Sequence, residues 1–331
     1  MWLLSTDRAE LHAFHSPASV PGAYAILSHV WGKEEQSFQD IQALSAATKS
    51  WFGPSPRDLA GSKIRNCCVL AEKHGYSWVW IDTCCIDKSS SAELSEAINS
   101  MFHYYSVADV CFAYLGDLLP HEVKHKFKYS SWHKRGWTLQ ELISPRFVVF
   151  LSRDWEVFGT KADLAPQIQK ISRIPVSVLT LQQDFRELSI AQRMSWAVDR
   201  ETTREEDRAY SLLRLFDINM STLYGEGSKA FYRLQEELLK QYADTSLFAW
   251  SLWPRYEAAS GRPPSRYLYG HAHIGESYLF APSPDVFRSS GLILQQSPHK
   301  AGKQKISLVS RNCCMVCHLG EGLTKVNQAV K

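Results

Sequence analysis

The chain has 331 residues, which at roughly 150 residues per domain indicates two domains, or one domain with large additions. Apolar residues make up 45% and charged residues 21% of the chain, a composition that excludes a disordered or fibrous protein. The formal net charge of +3 provides no strong field for nucleic acid or an anionic membrane. No apolar run approaches the roughly 18 residues of a membrane span, and the N-terminus does not resemble a signal peptide. We therefore expect a cytoplasmic protein without a nucleic-acid or membrane partner.

Apolar, β-prone segments alternate with helical segments in the first half of the chain. The predicted strands are residues 24–30, 77–81, 110–115 and 147–151. The predicted helices are residues 63–74, a helix that begins after Ser90, and residues 137–143. Ser90-x-x-Glu93 is a capping box, a common signal for the start of a helix. This alternation predicts an α/β fold with a mainly parallel sheet flanked by helices.

The pattern changes to helices after residue 160. Capping boxes at Ser189-x-x-Gln192 and Thr203-x-x-Glu206 predict two helices, and an apolar stripe that starts near Ser228 predicts a third. From residue 251 onward the periodicity is poor. The predicted organisation is therefore an α/β domain at 1–160, a helical extension packed on it at 161–250, and a C-terminal segment of uncertain structure, with short strands, at 251–331.

The eight cysteines favour burial over metal binding or disulfide formation. Without a secretory signal, a disulfide framework is not expected, so most of them are interpreted as small buried hydrophobes. Residues 314–318 form a zinc-like fragment, Cys-x-x-Cys-His. A structural zinc site needs four ligands, and the chain has no second Cys-x-x-Cys. No metal site is predicted.

Polar and aromatic residues gather where the first two predicted strands of the sheet end. In a parallel sheet, ligands bind beyond the carboxyl ends of the strands. Asp82 could also serve only as a cap for the following turn. The candidates at this edge are Ser28, His29, Trp31 and Gly32 after the first strand, and Asp82 and Asp87 after the second.

The predicted helix at residues 137–143 carries a second group of candidates. At 100° per residue, Leu139, Leu142 and Ile143 share one face, which we expect to face the core. Trp137 and Glu141 lie on the opposite face, where an indole one turn from a carboxylate is typical of a cleft wall. Two structural alternatives remain open: Trp137 could cover a neighbouring helix, and Glu141 could be a solvated or salt-bridged acid.

Three nucleotide- or hydrolase-type signatures are excluded. Residues 225–230, GEGSKA, match the G-x-G-x-x-A pattern but do not follow a predicted strand, as a dinucleotide-binding loop must. The P-loop and nucleophile-elbow patterns are absent from the sequence.

Three of these segments resemble the sequence blocks of the fungal heterokaryon-incompatibility (HET) domain. They are residues 24–32 (YAILSHVWG), 80–88 (WIDTCCIDK) and 135–142 (RGWTLQEL), and the resemblance covers about residues 24–160. Residues 193–197 and 223–227 resemble segments that often follow this domain. The departures are His29, where many members have Tyr, Cys84, where many have Leu, and His133, where an aromatic residue is usual.

The resemblance implies a fold, a role and a chemistry. The family is associated with nonself recognition between fungal individuals and with cell death after incompatible fusion. Its core is thought to be similar to Toll/interleukin-receptor-like (TIR) domains, which implies a TIR- or flavodoxin-like sheet. Many TIR domains hydrolyse NAD with the glutamate of a Trp-x-x-x-Glu segment, and Trp137 and Glu141 have that spacing.

By this resemblance Glu141 is the expected catalytic residue, and NAD is a substrate and not a resident cofactor. Trp137 and Trp31 are expected to stack on the nicotinamide or hold the adenine, and Arg135 is expected to contact phosphate. The loops at residues 28–32 and 82–87 would complete the pocket.

Two other functions remain open. One is a non-enzymatic interaction module that acts through self-association or a partner protein of a death pathway. The other is a degenerate enzyme that keeps the cleft without turnover.

Overall fold

The computed structural model describes residues 1–48, 54–252, 280–288, 290–294, 305–310 and 313–318. Internal contacts divide the chain into two compact units. The first consists of residues 1–171, 175–181 and 219–222. The second consists of residues 172–174, 182–218 and the described part of 223–331.

A seven-stranded sheet forms the centre of the first unit. Its strands are β1 (Trp2–Ser5), β2 (Leu11–Ala13), β3 (Tyr24–His29), β4 (Trp78–Trp80), β5 (Val110–Tyr114), β6 (Val148–Leu151) and β7 (Val157–Thr160). They are arranged in the order β2-β1-β4-β3-β5-β6-β7. β3 pairs in parallel with β4 and β5, and β5 pairs in parallel with β6. The four predicted strands are therefore present, adjacent and parallel, and the α/β class is confirmed.

The sheet as a whole is mixed, which corrects the prediction of a mainly parallel one. β1 pairs antiparallel with both β2 and β4, and β7 pairs antiparallel with β6. These three strands have only three or four residues each. They form the outer part of the sheet. β2 and β7 are exposed or half-buried at every position, so they lack the continuous apolar run of a strand that is buried on both faces.

Eight α-helices belong to the described part of the first unit. They are α1 (Phe38–Ala47), α2 (Pro56–Leu59), α3 (Ser62–Lys73), α4 (Ser91–Val107), α5 (Val123–Lys126), α6 (Thr138–Ile143), α7 (Ala165–Ser172) and α8 (Val176–Leu179). Ser90 caps α4 as predicted, because its Oγ accepts a hydrogen bond from Glu93 N. The second half of that capping box is absent, since the Glu93 carboxylate accepts from Asp87 N instead.

Five cysteines with described side chains lie in the core of the first unit. They are Cys67, Cys68, Cys84, Cys85 and Cys111, all reduced and buried. The interpretation as small buried hydrophobes is confirmed for these five. The zinc-like fragment at 314–318 lies outside the described side chains.

The second unit contains three α-helices and a small antiparallel sheet among its described residues. The helices are α9 (Ile190–Ser195), α10 (Asp207–Tyr210) and α11 (Lys229–Gln241), and the strands are β8 (Ile293–Leu294), β9 (Lys305–Ser310) and β10 (Cys313–His318). The capping box at Ser189 is confirmed. The box at Thr203 is wrong, because α10 begins only at Asp207 and Glu206 occupies its N-cap position.

The packing of residues 161–250 on the α/β domain stays a prediction. In the part of the chain that the structure describes, no helix is long and apolar enough to cross a membrane.

Candidate functional site

Glu141 lies at the end of a buried hydrogen-bond chain with Ser28 and Trp132, which we call the Glu141 centre. Ser28 Oγ, near the carboxyl end of the central strand β3, donates to Glu141 Oε2 at 2.5 Å. The indole Nε1 of Trp132 donates to the same Ser28 Oγ at 2.8 Å. Thr138 supports this arrangement, because its Oγ1 bonds the carbonyl oxygens of Trp132 and Arg135 at 2.6 and 2.8 Å. The hydroxyl of Ser28 therefore joins the carboxylate to the sheet.

The depth of Glu141 corrects the prediction of a helix face that is exposed to a cleft. Glu141 and Gln140 are each 2% exposed, and every residue of α6 is buried. Trp137 is only half-buried, at the N-cap position of this helix. The helical wheel separates two faces of α6 correctly, but protein covers both of them.

A second group of residues surrounds the exposed indole of Trp31, and we call it the Trp31 cluster. Trp31 is 40% exposed, and its Nε1 donates to Asp82 Oδ2 at 2.8 Å. Lys88 Nζ lies 4.1 Å and Arg135 Cζ lies 4.9 Å from the ring centroid, both within cation–π distance. His29 Nε2 lies 3.1 Å from Asp82 Oδ1. An exposed aromatic ring is thus combined with two cations at one edge of the sheet.

The charges of the Trp31 cluster hold Asp82 in its ionised form. Burial by itself would raise the pKa of the Asp82 carboxyl, but the hydrogen bond and charge of His29, with Lys88 and Arg135, lower the pKa to about 2. Burial lowers the pKa of the Lys88 ammonium, and the Asp82 carboxylate opposes that effect. The cluster therefore contains a fixed negative charge beside His29 and the two cations.

The two groups are connected through the backbone. Ser28 and His29 are neighbours on β3, where successive side chains point to opposite faces, and accordingly they contact Glu141 and Asp82 respectively. Arg135 precedes α6 by a few residues and contacts Trp31. The three sequence blocks (residues 24–32, 80–88 and 135–142) are about 50 residues apart along the chain. Residues from all three of them therefore meet at the carboxyl ends of β3 and β4.

Three predicted site residues lie at the margin of this arrangement. Gly32 N donates to Glu35 Oε1 at 2.5 Å, which closes the loop after β3. Asp87 Oδ1 accepts hydrogen bonds from Gln39 and Ser89, so it orders the loop before α4. Trp137 contributes its backbone carbonyl to the first turn of α6.

Sequence reasoning missed Trp132 and Lys88 as site residues. Trp132 is fully buried on a short 3₁₀ turn (Ser131–His133), where no periodicity indicates burial. Lys88 is the last residue of the second sequence block. Its place in that block is the one feature of the sequence that could have identified it as a site residue. Within the described ranges, no group of three His, Cys, Asp or Glu side chains could hold a metal ion.

The fold and site define an α/β protein whose three sequence blocks meet at the carboxyl edge of the sheet. Residues 24–127 match the family model for the heterokaryon incompatibility protein (HET), and residues 229–312 match a domain of unknown function (DUF8212). The chain therefore contains a HET domain at residues 24–127. The HET match contains the first two sequence blocks and ends before the third, which carries Glu141.

A curated relative supports the assignment. The vegetative incompatibility protein HET-E-1 of Podospora anserina is 42% identical over 228 residues, which is 66% of this chain. The chain spans only 16% of the length of that relative. No solved structure matches the chain.

Proposed function

We propose that this chain acts in heterokaryon incompatibility in the fungal cytoplasm, and that its site cleaves the nicotinamide–ribose bond of NAD. The HET domain and the vegetative incompatibility protein with 42% identity support the incompatibility role. The proposed chemistry depends on one observation: residues of all three sequence blocks make contacts, Ser28 with Glu141, Trp31 with Asp82 and Arg135 with Trp31, at the edge of the sheet where α/β proteins bind ligands.

The reaction needs a carboxylate and no general acid. The bond between the anomeric carbon and the nicotinamide nitrogen breaks, and its electron pair goes to the already cationic ring, which leaves neutral. A water oxygen then bonds the anomeric carbon and releases one proton, which gives nicotinamide and ADP-ribose. The transition state resembles an oxocarbenium ion, as in glycoside hydrolysis. The Glu141 carboxylate would stabilise that positive charge and hold ribose hydroxyls.

The Trp31 cluster has the chemistry to bind the rest of the substrate. Lys88 and Arg135 offer positive charge and hydrogen-bond donors for the two phosphates, and the exposed indole of Trp31 offers a flat surface for a planar ring. In the same segments, His29 Nδ1 and Thr83 Oγ1 are buried polar atoms without a hydrogen-bond partner in the described structure. Such atoms are uncommon and are often completed by a ligand or water.

A second candidate function is an interaction module, through self-association or a partner of the death pathway. The burial of Glu141 favours it, because a carboxylate that is 2% exposed and bonded to Ser28 also has a purely structural use. In this case the exposed Trp31 cluster would contact a partner protein, since Trp and Arg are typical anchors of interfaces.

Nicotinamide release from NAD by the purified chain distinguishes the two functions. We expect release by the wild type and a loss of about 10²–10³-fold in Glu141→Gln, since a neutral amide cannot stabilise a developing cation. Glu156→Gln is the matched control, because Glu156 is exposed on the loop before β7, and it should retain the wild-type rate. Absence of both nicotinamide release and an NAD-dependent thermal shift in the wild type would favour the interaction module.

A further inference from the structure

The carboxylate of Glu141 already has a hydroxyl partner in the structure. Ser28 Oγ has one proton, which it donates to Glu141 Oε2 at 2.5 Å. The N–H of Trp132 occupies an acceptor position of the same oxygen at 2.8 Å. Ser28 and Trp132 are both 0% exposed, so this hydroxyl cannot turn toward solvent. Ser28 therefore holds the carboxylate in one orientation, away from bulk water.

The proposed reaction needs the same carboxylate oxygen for a different hydroxyl. A carboxylate that holds ribose accepts a hydrogen bond from an alcohol O–H, which is chemically what Ser28 supplies. Because Glu141 and Ser28 are 2% and 0% exposed, a ribose hydroxyl can reach this oxygen only when the contact between Ser28 and Glu141 opens. Substrate binding at Glu141 would therefore exchange one O–H···O⁻ bond for another.

We infer that Ser28 is a positioning residue that closes the site by occupying, on Glu141, the place of a substrate ribose hydroxyl. This inference rests on the proposed function, because it names the group that NAD must displace. In the closed state Glu141 is protected from solvent, and NAD binds only to the fraction of molecules in which the Ser28–Glu141 bond is open.

The secondary structure indicates which side of this bond moves. Ser28 lies on β3, which is hydrogen-bonded to β4 on one side and β5 on the other. Glu141 lies on α6, a helix of only six residues. A strand that is paired on both edges is held more firmly than a one-and-a-half-turn helix. Opening would therefore displace α6 from β3.

The test compares Ser28→Ala with a control that loses an equivalent bond elsewhere on the same helix. Ser144, the C-cap of α6, donates from its Oγ to Phe102 O at 2.5 Å and does not bond Glu141, which makes Ser144→Ala the matched control. We expect Ser28→Ala to lower KM for NAD roughly tenfold with kcat maintained, since one hydrogen bond to a charged group has about that effect. Ser144→Ala should keep the wild-type KM. A loss of kcat in Ser28→Ala, or equal KM shifts in both variants, would overturn the inference.

A second readout does not depend on turnover. Coupling of a water-soluble carbodiimide and an amine to Glu141, followed by peptide mass spectrometry, measures how often the carboxylate is exposed. We expect coupling to be roughly tenfold faster in Ser28→Ala than in the wild type or Ser144→Ala. Equal rates would contradict closure by Ser28. If coupling were faster in Ser28→Ala but no variant released nicotinamide, NAD cleavage would be refuted and closure of Glu141 by Ser28 would be supported. The failure of the proposed function is therefore distinguishable from the failure of this inference.

Discussion

The imidazole Nε2 of His29 lies 3.1 Å from Oδ1 of Asp82, and this pair joins the carboxyl end of β3 to that of β4. The side chain of His29 is fully buried, and that of Asp82 is 14% exposed. The second oxygen of the carboxylate accepts the indole N–H of Trp31 at 2.8 Å. One carboxylate thus contacts two residues of the first sequence block, which makes Asp82 the central residue of the Trp31 cluster.

We predict that Asp82 contributes stability that depends on pH. Its pKa is about 2 in the folded chain, below the ordinary 3.8, so the folded state favours the ionised form. This contribution, about 2 kcal/mol, is present above pH 4 and is lost as the pH falls toward 2, with about half remaining at pH 3. Denaturant unfolding of wild type and Asp82→Asn should therefore differ most at pH 7 and less at pH 3. Asp154→Asn is the control, because Asp154 is exposed, and its unfolding free energy should differ from that of the wild type by a small amount that is the same at both pH values. If the difference in unfolding free energy between wild type and Asp82→Asn were as large at pH 3 as at pH 7, the prediction would be contradicted.

The burial of Glu141 changes the expected effect of Glu141→Gln on stability. A residue on an open cleft face would contribute little, within about 1 kcal/mol. In the structure, however, the carboxylate accepts a hydrogen bond from Ser28 in a dry environment. An amide nitrogen placed against the hydroxyl of Ser28 would leave a donor unsatisfied, so we expect a loss of about 1–3 kcal/mol in the free energy of unfolding. Chemical denaturation measures it, and an unchanged midpoint would show that the carboxylate is not held as described.

Lys161, which lies beneath α6, predicts a second pH effect on stability, in the alkaline range. Its Nζ donates to the carbonyl oxygens of Leu142 and Pro145 at 3.3 and 2.5 Å, beneath the C-terminal end of α6. Burial lowers the pKa of Lys161 from 10.5 to about 8. The unfolded chain therefore binds more protons between pH 8 and 10.5, and the contribution of this side chain to stability rises with pH across that window.

The comparison of wild type with Lys161→Met isolates this effect from the titration of other groups. The difference in unfolding free energy should move in favour of the wild type by about 2 kcal/mol between pH 7 and pH 9.5. Lys170→Met on α7, where Lys170 is exposed, should show no such change. A pH-independent difference for Lys161→Met would mean that this ammonium stays charged over the whole range.

The parallel centre of the sheet could be predicted because its strands are buried on both faces. β3 is buried at all six positions, and a run of this kind is visible in a single sequence. The three antiparallel strands could not be predicted in the same way. They are short, and β7 is exposed or half-buried along its whole length, so its composition does not differ from that of a loop.

The site was predictable as a set of segments but not as a set of contacts. The topology rule places residues after β3 and β4 at one edge, which brings Trp31 and Asp82 together. Helical periodicity assigned Glu141 to the face opposite the apolar stripe, but it cannot indicate that a second layer of protein covers that face. The Trp132 indole comes from a turn, and only the three-dimensional structure places it on Ser28.

The glycine-rich segment before α11 has a structural use in the second unit. Glu206 Oε1 accepts hydrogen bonds from Gly225 N at 2.7 Å and Gly227 N at 3.1 Å. Both glycines have positive φ angles, +103° and +61°, which turn successive N–H groups toward one acceptor. The carboxylate of Glu206 is thus the anion that these two backbone N–H groups bind. This explains why residues 225–230 match G-x-G-x-x-A without following a strand.

We predict that Gly225→Ala destabilises the second unit through its backbone alone. An added Cβ would meet no atom within 4 Å, so steric contact with other residues is not the cause of the loss. At a φ of +103° an L-residue is strained by about 1–3 kcal/mol, and relief of that strain would turn the Gly225 N–H away from Glu206. Denaturant unfolding of the full chain should show this loss. Ser228→Ala is the control: this exposed N-cap of α11 makes no side-chain capping bond, so its removal should change stability by less than about 0.5 kcal/mol. Equal stability of the two variants would mean that the backbone at Gly225 relaxes freely and that the Glu206 carboxylate does not fix this loop.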